Sequence, residues 1–337
     1  MAEKNQIIDA AVIVPAYNSE KTISECIIAL KNQTYRGNFE IIVVDDGSKD
    51  ATAKIAQENG AKVFSQKNAG PAKARNRGAR NSIGKILLFT DADCKPEKNW
   101  LEEMLKPFID KKIVGVQGVY KTKQQGVVAR FNQIEIEQRY EKMKKSKAID
   151  WIGSYSAAYR REDFFGTNGF DESFPKASGE DPELSYKLAK SGKKLLFNPS
   201  AIVYHVHPDS LWKYLKVKYF RAYYRILLYS KHTDKIVSDS YTTGAIKFQV
   251  FAAFAGLVLV IATVPLAFAG YFELAVLAGI ISTIIAGLGL LSTLEFTFYA
   301  WPKDKGVAIA SLLIIPLRTI AFQIGMVFGT IKFKILK

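Results

Sequence analysis

The C-terminal third of the chain contains long stretches without an ionisable side chain, and these constrain the fold more than any other feature. The stretch 248–270 has no such side chain, and neither has the stretch 274–294. Each reaches the roughly 20 residues that a helix needs to cross about 30 Å of hydrocarbon. Helices of soluble domains rarely lack a polar face over this length. We therefore predict two membrane-spanning helices that form a hairpin around Phe272 and Glu273.

A third apolar stretch, 307–331, is also long enough to span, but it contains Arg318 near its middle and next to Pro316. An unpaired arginine at bilayer depth is costly, so Arg318 is expected to face another helix, to snorkel, or to mark a broken or re-entrant segment. Together the three stretches predict an all-α transmembrane region over 245–332.

The charges that flank these stretches bear on their orientation. Lys303 and Lys305 lie between the second and third stretches, which favours a cytoplasmic loop by the positive-inside tendency. If all three stretches cross, the tail lysines Lys332, Lys334 and Lys337 fall on the other side, which conflicts with the same tendency. Whether the third stretch crosses fully is therefore left open.

The remainder of the chain has the features of a cytoplasmic protein. The whole chain of 337 residues contains 47 Lys and Arg against 32 Asp and Glu, a net charge of +15. The apolar stretch 11–14 is too short for the hydrophobic part of a secretory signal and follows a polar start. The two cysteines, Cys26 and Cys94, exclude a disulfide framework and fit a reducing compartment. We expect an integral protein of the cell membrane with its N-terminal two-thirds in the cytoplasm.

Short apolar strands and helical segments alternate along the N-terminal part of the chain. The predicted strands are 11–14, 40–44, 61–64 and 86–89, and the predicted helices are about 19–32, 49–59 and 71–82. This alternation predicts a doubly wound, parallel α/β sheet. Ligands bind at the carboxyl ends of the strands in such sheets, and three of these ends carry Pro-Ala-Tyr-Asn, Asp-Asp-Gly-Ser and Asp-Ala-Asp.

An ordered series of motifs over about residues 10–210 resembles family 2 glycosyltransferases of the GT-A fold. The motifs are Val14-Pro15-Ala16-Tyr17-Asn18, Asp45-Asp46-Gly47-Ser48, Asn68-Ala69-Gly70-Pro71, Asp91-Ala92-Asp93, Gly169-Phe170-Asp171 and Gly179-Glu180-Asp181. The resemblance implies a GT-A domain, the nucleotide-diphospho-sugar transferase fold, over 1–208. It also implies a nucleotide-diphosphate sugar as the donor substrate.

The resemblance identifies Asp91 and Asp93 as a DxD metal motif that uses Mg²⁺ or Mn²⁺. Carboxylate oxygens two residues apart at a strand end can reach one hard cation that bridges the donor phosphates. His205, or alternatively His207, is expected as a further metal ligand by the same resemblance. The competing interpretation of an isolated Asp-x-Asp is a solvated turn.

The resemblance also assigns the residues that bind the nucleotide sugar. These are Pro15, Ala16, Tyr17, Glu20, Asp46, Arg75 and Asp91. Asp46 is expected to accept hydrogen bonds from the base or the ribose, although an Asx turn with a helix cap would also explain it. Arg75 is expected to reach the base or the pyrophosphate, although Lys73 or Arg77 of the same helix could do this instead.

Asp181 matches the carboxylate that acts as general base in the resembling enzymes, with Glu180 on the acceptor side. A hydroxyl that attacks the anomeric carbon must lose its proton as the bond forms, and a carboxylate with a raised pKa suits this task. One direct displacement implies inversion. Because Pro182 follows, Asp181 could instead be a helix N-cap.

Basic and aromatic residues are interleaved between the two parts of the chain. The segment from Leu211 to Ser230 contains Trp212 among several tyrosines, lysines and arginines. This pattern predicts an amphipathic interfacial helix over 209–235 on an anionic leaflet. The same composition could bind RNA or DNA, but its position before membrane spans favours lipid, so no nucleic-acid partner is expected.

These observations predict an inverting glycosyltransferase that moves one sugar to a hydroxyl of a lipid-linked or cell-surface glycan precursor. The Gln-x-x-Arg-Trp element of processive synthases is absent from the sequence. An alternative is a polyprenyl-phosphate sugar synthase of the dolichyl-phosphate type, whose phosphate nucleophile needs no general base. A non-catalytic scaffold or sensor with this fold is a further alternative. The donor base, the sugar and the acceptor are not predicted.

Overall fold

The computed structural model describes residues 9–176 and 178–335. Residues 1–8, which belong to the predicted 1–208 domain and to its polar start, and the tail residue Lys337 lie outside the described residues. The strands are β1 (Ala10–Ala16), β2 (Phe39–Asp45), β3 (Lys62–Ser65), β4 (Ile86–Phe89), β5 (Lys95–Pro96), β6 (Ile113–Lys121), β7 (Ala157–Arg160) and β8 (Lys194–Tyr204).

Twelve α-helices are found among the described residues. They are α1 (Ile23–Lys31), α2 (Thr52–Glu58), α3 (Pro71–Arg80), α4 (Trp100–Leu105), α5 (Val127–Lys144), α6 (Arg161–Gly166), α7 (Glu180–Lys190), α8 (Leu211–Lys231), α9 (Gly244–Phe268), α10 (Phe272–Leu291), α11 (Thr293–Ala300) and α12 (Lys305–Thr330).

The strands form one sheet in the order β3-β2-β1-β4-β7-β6-β8-β5. β1 is parallel to both of its neighbours, so that Ala16 pairs with Asp45 of β2 and Ile13 with Phe89 of β4. β7 is antiparallel to β4, and Ala157 at its start also pairs with Phe89. The ends of β1, β2 and β4 and the beginning of β7 therefore meet at one edge of the sheet.

Helices cover both faces of the sheet because side chains of a strand alternate between its faces. Val12 and Val14 of β1 belong to a buried cluster with residues of α1 and α4. On the other face α3 approaches β1 closely at Gly78, where a Cβ atom would collide with Ile13 and touch Val44. This arrangement confirms the predicted α/β sheet domain.

The second half of the sheet differs from the sequence prediction. The sequence predicted four parallel strands, and all four are present within one or two residues, whereas β5 to β8 were not predicted and β7 is antiparallel. β5 has only two residues, and β7 has the sequence Ala-Ala-Tyr-Arg, without a β-branched residue. Such strands give little local signal, because their pairing is decided by tertiary packing.

The C-terminal region is helical, as predicted, and three of its helices are long and apolar enough to cross a membrane. The predicted stretches 248–270 and 274–294 correspond to α9 and α10, and 307–331 corresponds to α12. α12 continues through Pro316 without a break. Arg318 is buried and donates to Glu135 of α5 over 2.5 Å, so the expectation that it faces another helix is confirmed.

The packing divides the chain into two compact units. The first contains the described residues up to Lys123 together with Tyr140–Val206 and His232–Tyr241. The second contains Gln124–Arg139, His207–Lys231 and the described residues from Thr242 onward. The predicted limits 1–208, 209–235 and 245–332 stay predictions.

Candidate active site

The sheet edge where the strand ends meet carries a cavity of about 580 Å³ in the first unit. This volume lies within the range of small-molecule sites. The cavity is lined by the loop after β1, by the segment after β4 and by Asp50. Of the predicted site residues, the structure brings Pro15, Tyr17, Glu20, Asp91 and Asp93 together around it.

Hydrogen bonds to the loop after β2 fix the conformation of the loop after β1. Asn18 has a positive φ of 48° and accepts a hydrogen bond from the Lys49 amide over 2.9 Å. The Glu20 carboxylate accepts from the Ala51 amide over 3.2 Å. Tyr17 is left largely exposed beside the cavity, whereas the predicted residue Ala16 is buried in β1 and does not line the cavity.

Asp91 and Asp93 follow β4 and offer carboxylate oxygens close to one another. Together with the Cys94 thiol they form a group whose ligand atoms all lie within 4.8 Å. His205, directly after β8, places Nε2 at 3.3 Å from Asp93 Oδ2. Two carboxylates and an imidazole are a donor set that fits Mg²⁺ or Mn²⁺. His207, the alternative ligand, is buried in the second unit, where its ring is bonded to Gln133.

The Cys94 thiol is a poor ligand for such a cation. Cys94 is fully buried, and burial together with the charges of Asp91 and Asp93 raises its pKa well above the usual value. The group therefore stays a neutral thiol at neutral pH, whereas metals bind the thiolate. Hard divalent cations also prefer oxygen.

Arg75 of α3 forms the centre of a buried charge cluster. Its side chain is only 3% exposed, and it donates to Asp91 Oδ1 and to Glu180 Oε1, each over 2.9 Å. Asp181 Oδ1 lies 3.9 Å from the same guanidinium. The structure thus occupies Arg75 with carboxylates, and its predicted contact with the base or pyrophosphate stays a prediction.

Asp46 fixes the beginning of the helix that carries Arg75. Its carboxylate is buried and accepts from the amides of Ala69 and Gly70, both over 2.9 Å, and from the Gln66 side chain over 2.7 Å. Gly70 has a positive φ of 93°, and Pro71 begins α3. Both oxygens of Asp46 are engaged in this turn, so its contact with a nucleoside remains a prediction.

Asp181 lies in the first turn of α7, at 22% side-chain exposure. Oδ2 accepts from the amide of Ser154 over 3.0 Å and from its hydroxyl over 3.1 Å. Within the described part of the chain, Oδ1 accepts no hydrogen bond. Burial and the charge of Glu180 raise the pKa of Asp181 to about 7. Oδ1 is itself buried beside Arg75, so the exposed part of the side chain lies elsewhere than at this oxygen. The carboxylate as a whole has a basicity suited to proton transfer near neutral pH.

Glu180 is almost completely buried and holds Arg75 rather than facing an open surface. Its second oxygen accepts from the amides of Ser178 and Gly179, over 2.9 and 3.0 Å. These bonds and the bond from Arg75 occupy both oxygens of Glu180. Its predicted role on the acceptor side stays a prediction.

Two further residues join the site that sequence reasoning missed. Ser154 anchors Asp181, and the Tyr120 hydroxyl lies 3.4 Å from Asp91 Oδ2, with its ring against that of His205 at 4.5 Å between centroids. Ser154 precedes β7 and Tyr120 lies near the end of β6, and both strands escaped prediction. The apolar residues at the start of β6 were the signal from which this strand, and with it Tyr120, could have been predicted.

The geometry agrees with comparisons to known proteins. The family model for glycosyl transferase family 2 matches residues 11–165. A pre-mycofactocin glycosyltransferase of Mycobacterium tuberculosis is 26% identical over 248 residues, which cover 71% of this chain and 51% of the relative. The chain therefore spans about half the length of that relative.

A second relative comes from Methanococcus voltae and is 25% identical over 233 residues, which cover 61% of this chain and 69% of the relative. Its name describes a glucuronosyltransferase that acts on a dolichyl N-acetylglucosaminyl phosphate.

Among solved structures, the mannosyltransferase PcManGT of Pyrobaculum calidifontis, in complex with GDP-Man and Mn²⁺, is similar over 97% of this chain and 87% of its own. The TM-score is 0.58 at 18% identity, which supports the fold. With the motif series, the sheet order and the family model in agreement, the chain contains a glycosyl transferase family 2 domain of the GT-A fold.

Proposed function

We propose that this protein transfers a single sugar from a nucleotide-diphosphate sugar to a hydroxyl of a lipid-linked or cell-surface glycan, with inversion at the anomeric carbon. The observation that carries the proposal is the position of Asp181. The pKa of Asp181 is raised to about 7, and its carboxylate lies 3.9 Å from the buried Arg75. The same arginine donates to Asp91, which lines the cavity together with Asp93.

The donor side of the reaction is assigned to the cavity. Asp91, Asp93 and His205 would hold a divalent cation, which neutralises the charge that develops on the departing nucleoside diphosphate. Pro15, Tyr17 and Glu20 lie on the same cavity and are the residues available for the nucleoside. GDP-Man with Mn²⁺ in the P. calidifontis enzyme supports a donor of this class.

The acceptor side is assigned to Asp181. Its carboxylate would take the proton of the attacking hydroxyl, while Ser154 fixes the direction of the group. Arg75 lies against Asp91 and near Asp181, so it ties the position of the base to that of the metal ligands. A single displacement with one base produces inversion.

The acceptor class follows from the membrane helices and one relative. Three helices that could cross a membrane support a lipid-linked acceptor at its surface. The M. voltae relative, which acts on a dolichyl-linked N-acetylglucosaminyl phosphate, supports a sugar attached to a lipid phosphate. We place the catalytic unit on the cytoplasmic side of the cell membrane, where nucleotide sugars are found.

The alternative of a polyprenyl-phosphate sugar synthase differs in the nucleophile. A phosphate oxygen is already ionised, so such an enzyme has no use for a base of pKa about 7. A non-catalytic scaffold or sensor with this fold would have no need to keep Asp91, Asp93 and Asp181 together. The environment of Asp181 therefore favours the hydroxyl acceptor over both.

The proposal is tested with the purified full chain in detergent, radiolabelled UDP-, GDP- and dTDP-sugars, Mn²⁺ and a membrane glycolipid extract. We expect transfer from one donor class into a glycolipid, with the anomeric configuration inverted. A product in which the transferred sugar is bonded directly to a lipid phosphate, so that mild acid frees it as a monosaccharide, would support the polyprenyl-phosphate alternative. Retained configuration, or no transfer from any donor by folded protein, would contradict the proposal.

A further inference from the structure

α8 and α12 lie side by side in the second unit and run in the same direction. Two glycines of α12 permit this approach: a Cβ atom at Gly325 would collide with the carbonyl oxygen of Tyr219, and one at Gly329 with that of Tyr223. Both contacts give the same register between the helices. The rings of Phe333 and Tyr223, 5.2 Å apart, extend it beyond the end of α12.

This register brings exposed cations level with the middle of α12. Lys213 of α8 is level with Thr319, and Lys216 is level with Phe322, while α12 runs from Lys305 to Thr330. The Lys213 side chain is 66% exposed, and Lys216 is also exposed.

These cations do not fit a transmembrane α12. If α12 crossed a bilayer, Lys213 and Lys216 would lie near its midplane, where a charged side chain is strongly disfavoured. Half of the roughly 30 Å hydrocarbon core is too far for a lysine side chain to reach the headgroups. A helix packed against α8 in this way is instead compatible with the membrane surface.

The start of α9 gives a second, independent indication. Arg318 donates to the side chain of Gln249, and Gln323 donates to the carbonyl of Val250 over 2.8 Å. The first two turns of α9 therefore contact the middle of α12. If α12 crossed, α9 would begin near the midplane, and its remaining length of about 27 Å would project apolar side chains such as Val264 and Phe268 into water.

The buried arginine of α12 has a protein partner that also binds α8. Glu135 of α5 is fully buried and accepts from Arg318 over 2.5 Å and from Lys218 over 2.6 Å. Arg139 lies 3.3 Å from the same carboxylate. The ion cluster therefore joins α5, α8 and α12 into one layer. It pairs Arg318, the charged residue of the apolar stretch, with a protein carboxylate, so this arginine does not have to lie in lipid.

The outward side of α12 has the chemistry of an interfacial helix. Its exposed apolar residues recur at helical spacing along the whole helix and include Ile309, Leu313, Ile320, Ile324 and Val327. α8 adds exposed cations, among them Lys216 and Arg221. An apolar stripe next to basic residues fits the boundary between acyl chains and anionic headgroups.

We infer that α8 and α12 form a two-helix layer at the surface of an anionic leaflet and that only α9 and α10 cross the membrane. This inference is independent of the proposed sugar transfer. It places Lys332 and Lys334 on the same side as Lys303 and Lys305, which removes the conflict with the positive-inside tendency.

Single cysteines in the full chain test this topology. The natural cysteines Cys26 and Cys94 are buried, so their background labelling is low. Lys334→Cys is compared with Glu58→Cys on the surface of the first unit and with Tyr271→Cys in the turn between α9 and α10. A membrane-impermeant maleimide is applied to intact cells and to inside-out vesicles.

We expect Lys334→Cys to be labelled in the same preparation as Glu58→Cys, and Tyr271→Cys in the opposite one. Labelling of Lys334→Cys together with Tyr271→Cys would show that α12 crosses and would overturn the inference. Absence of labelling at Lys334→Cys in both preparations, with labelling after detergent, would place the end of α12 in lipid and would also overturn it.

Depth measurements give a second readout that does not depend on labelling efficiency. Nitroxides are placed at Ile320 in the middle of α12 and at Val260 in the middle of α9, both more than half exposed in the structure. In vesicles that contain phosphatidylglycerol, we expect Ile320 at about 5–10 Å depth. Val260 is expected near the midplane, at about 15 Å. Equal depths at the two positions would contradict the inference.

Discussion

At the scale of single residues, the surroundings of Asp181 differ from those of an ordinary surface carboxylate. One oxygen is fixed by Ser154, and the other lies 3.9 Å from Arg75. Four partly or fully buried groups, Arg75, Asp91, Glu180 and Asp181, share this position. Replacing one of them changes the others, so substitutions must keep shape as well as remove chemistry.

Asp181→Asn should lose sugar transfer and keep donor binding. The amide has the shape of the carboxylate but cannot accept a proton, so we expect the transfer rate to fall by about 10²–10⁴-fold. Nucleotide binding, followed by thermal shift with Mn²⁺, should be unchanged. Glu58→Gln, an exposed carboxylate of α2, is the matched control. Transfer by Asp181→Asn at the rate of Glu58→Gln would exclude Asp181 as the base.

The transfer rate should depend on pH through the same carboxylate. Burial and the neighbouring Glu180 charge favour the protonated form and raise the pKa of Asp181 to about 7. Because only the ionised form accepts a proton, the rate should rise with pH toward a plateau above this value. Below it the rate should fall about tenfold for each pH step of one. A rate that is constant from about pH 5 to 8 would contradict the assignment.

Much of the site could be predicted at this scale, because strand-end motifs carry a strong signal. Asp91, Asp93 and the loop at Tyr17 were predicted, and the structure places them on one cavity. The interactions of Arg75 could not be predicted, because its partners come from segments far apart in sequence. Ser154 gave no signal, since a serine before an unrecognised strand is not distinctive.

At the scale of secondary structure elements, the second unit is held together by packing that sequence periodicity does not reveal. α5, α8 and α12 share one buried carboxylate, Glu135, with three cations around it. α8 and α12 also approach each other closely at two glycines of α12, Gly325 and Gly329. Because of these two features, similar substitutions at different positions should change the stability of the protein to very different extents.

Glu135→Gln should destabilise the protein far more than Glu137→Gln on the same helix. Removing the Glu135 charge leaves Arg318 and Lys218 buried without their counter-ion, which costs about 3–5 kcal/mol. Glu137 is about one-third exposed and pairs with Lys303 over 3.1 Å, so its loss should cost about 1 kcal/mol or less. Thermal unfolding in detergent measures both. Equal midpoints for the two variants would contradict the buried cluster.

Gly325→Ala should lower the unfolding midpoint, whereas Gly287→Ala should not. In α12 the new methyl group would collide with the Tyr219 carbonyl, and overpacking of this kind costs about 1–3 kcal/mol. In α10 nothing lies within 4 Å of a Cβ atom at Gly287, and alanine favours helix by about 1 kcal/mol. If both variants are equally stable in the same detergent, α8 and α12 do not pack as described.

The elements themselves were predictable only where local signals are strong. β1 to β4 are short apolar strands that end in turn residues, and their order along the chain was evident. β7 depends on partners on both sides, so its direction could not be derived from its own four residues. The hydropathy of α12 likewise predicts a membrane span. Its contacts with α5 and α8, which are not evident from the sequence, favour a position at the membrane surface.

At the scale of the whole molecule, a sugar transferase domain and a membrane region are encoded in one chain. The sheet edge presents carboxylates for a cation, and the helical unit combines apolar helices with a basic one. Composition predicted this division, because charge and apolar stretches are separated along the sequence. The number of crossings could not be derived from composition, since it depends on which helix packs against which.

The most direct test of the central claim is metal-dependent nucleotide binding by the full chain in detergent. Thermal unfolding is followed with UDP, GDP and dTDP, each with Mn²⁺ and with EDTA. We expect one nucleotide to stabilise the protein by about 2.7 kcal/mol at a hundredfold excess over its dissociation constant. The effect should vanish in EDTA and in Asp91→Asn or Asp93→Ala. Equal stabilisation in EDTA, or none by any nucleotide with folded protein, would contradict the account.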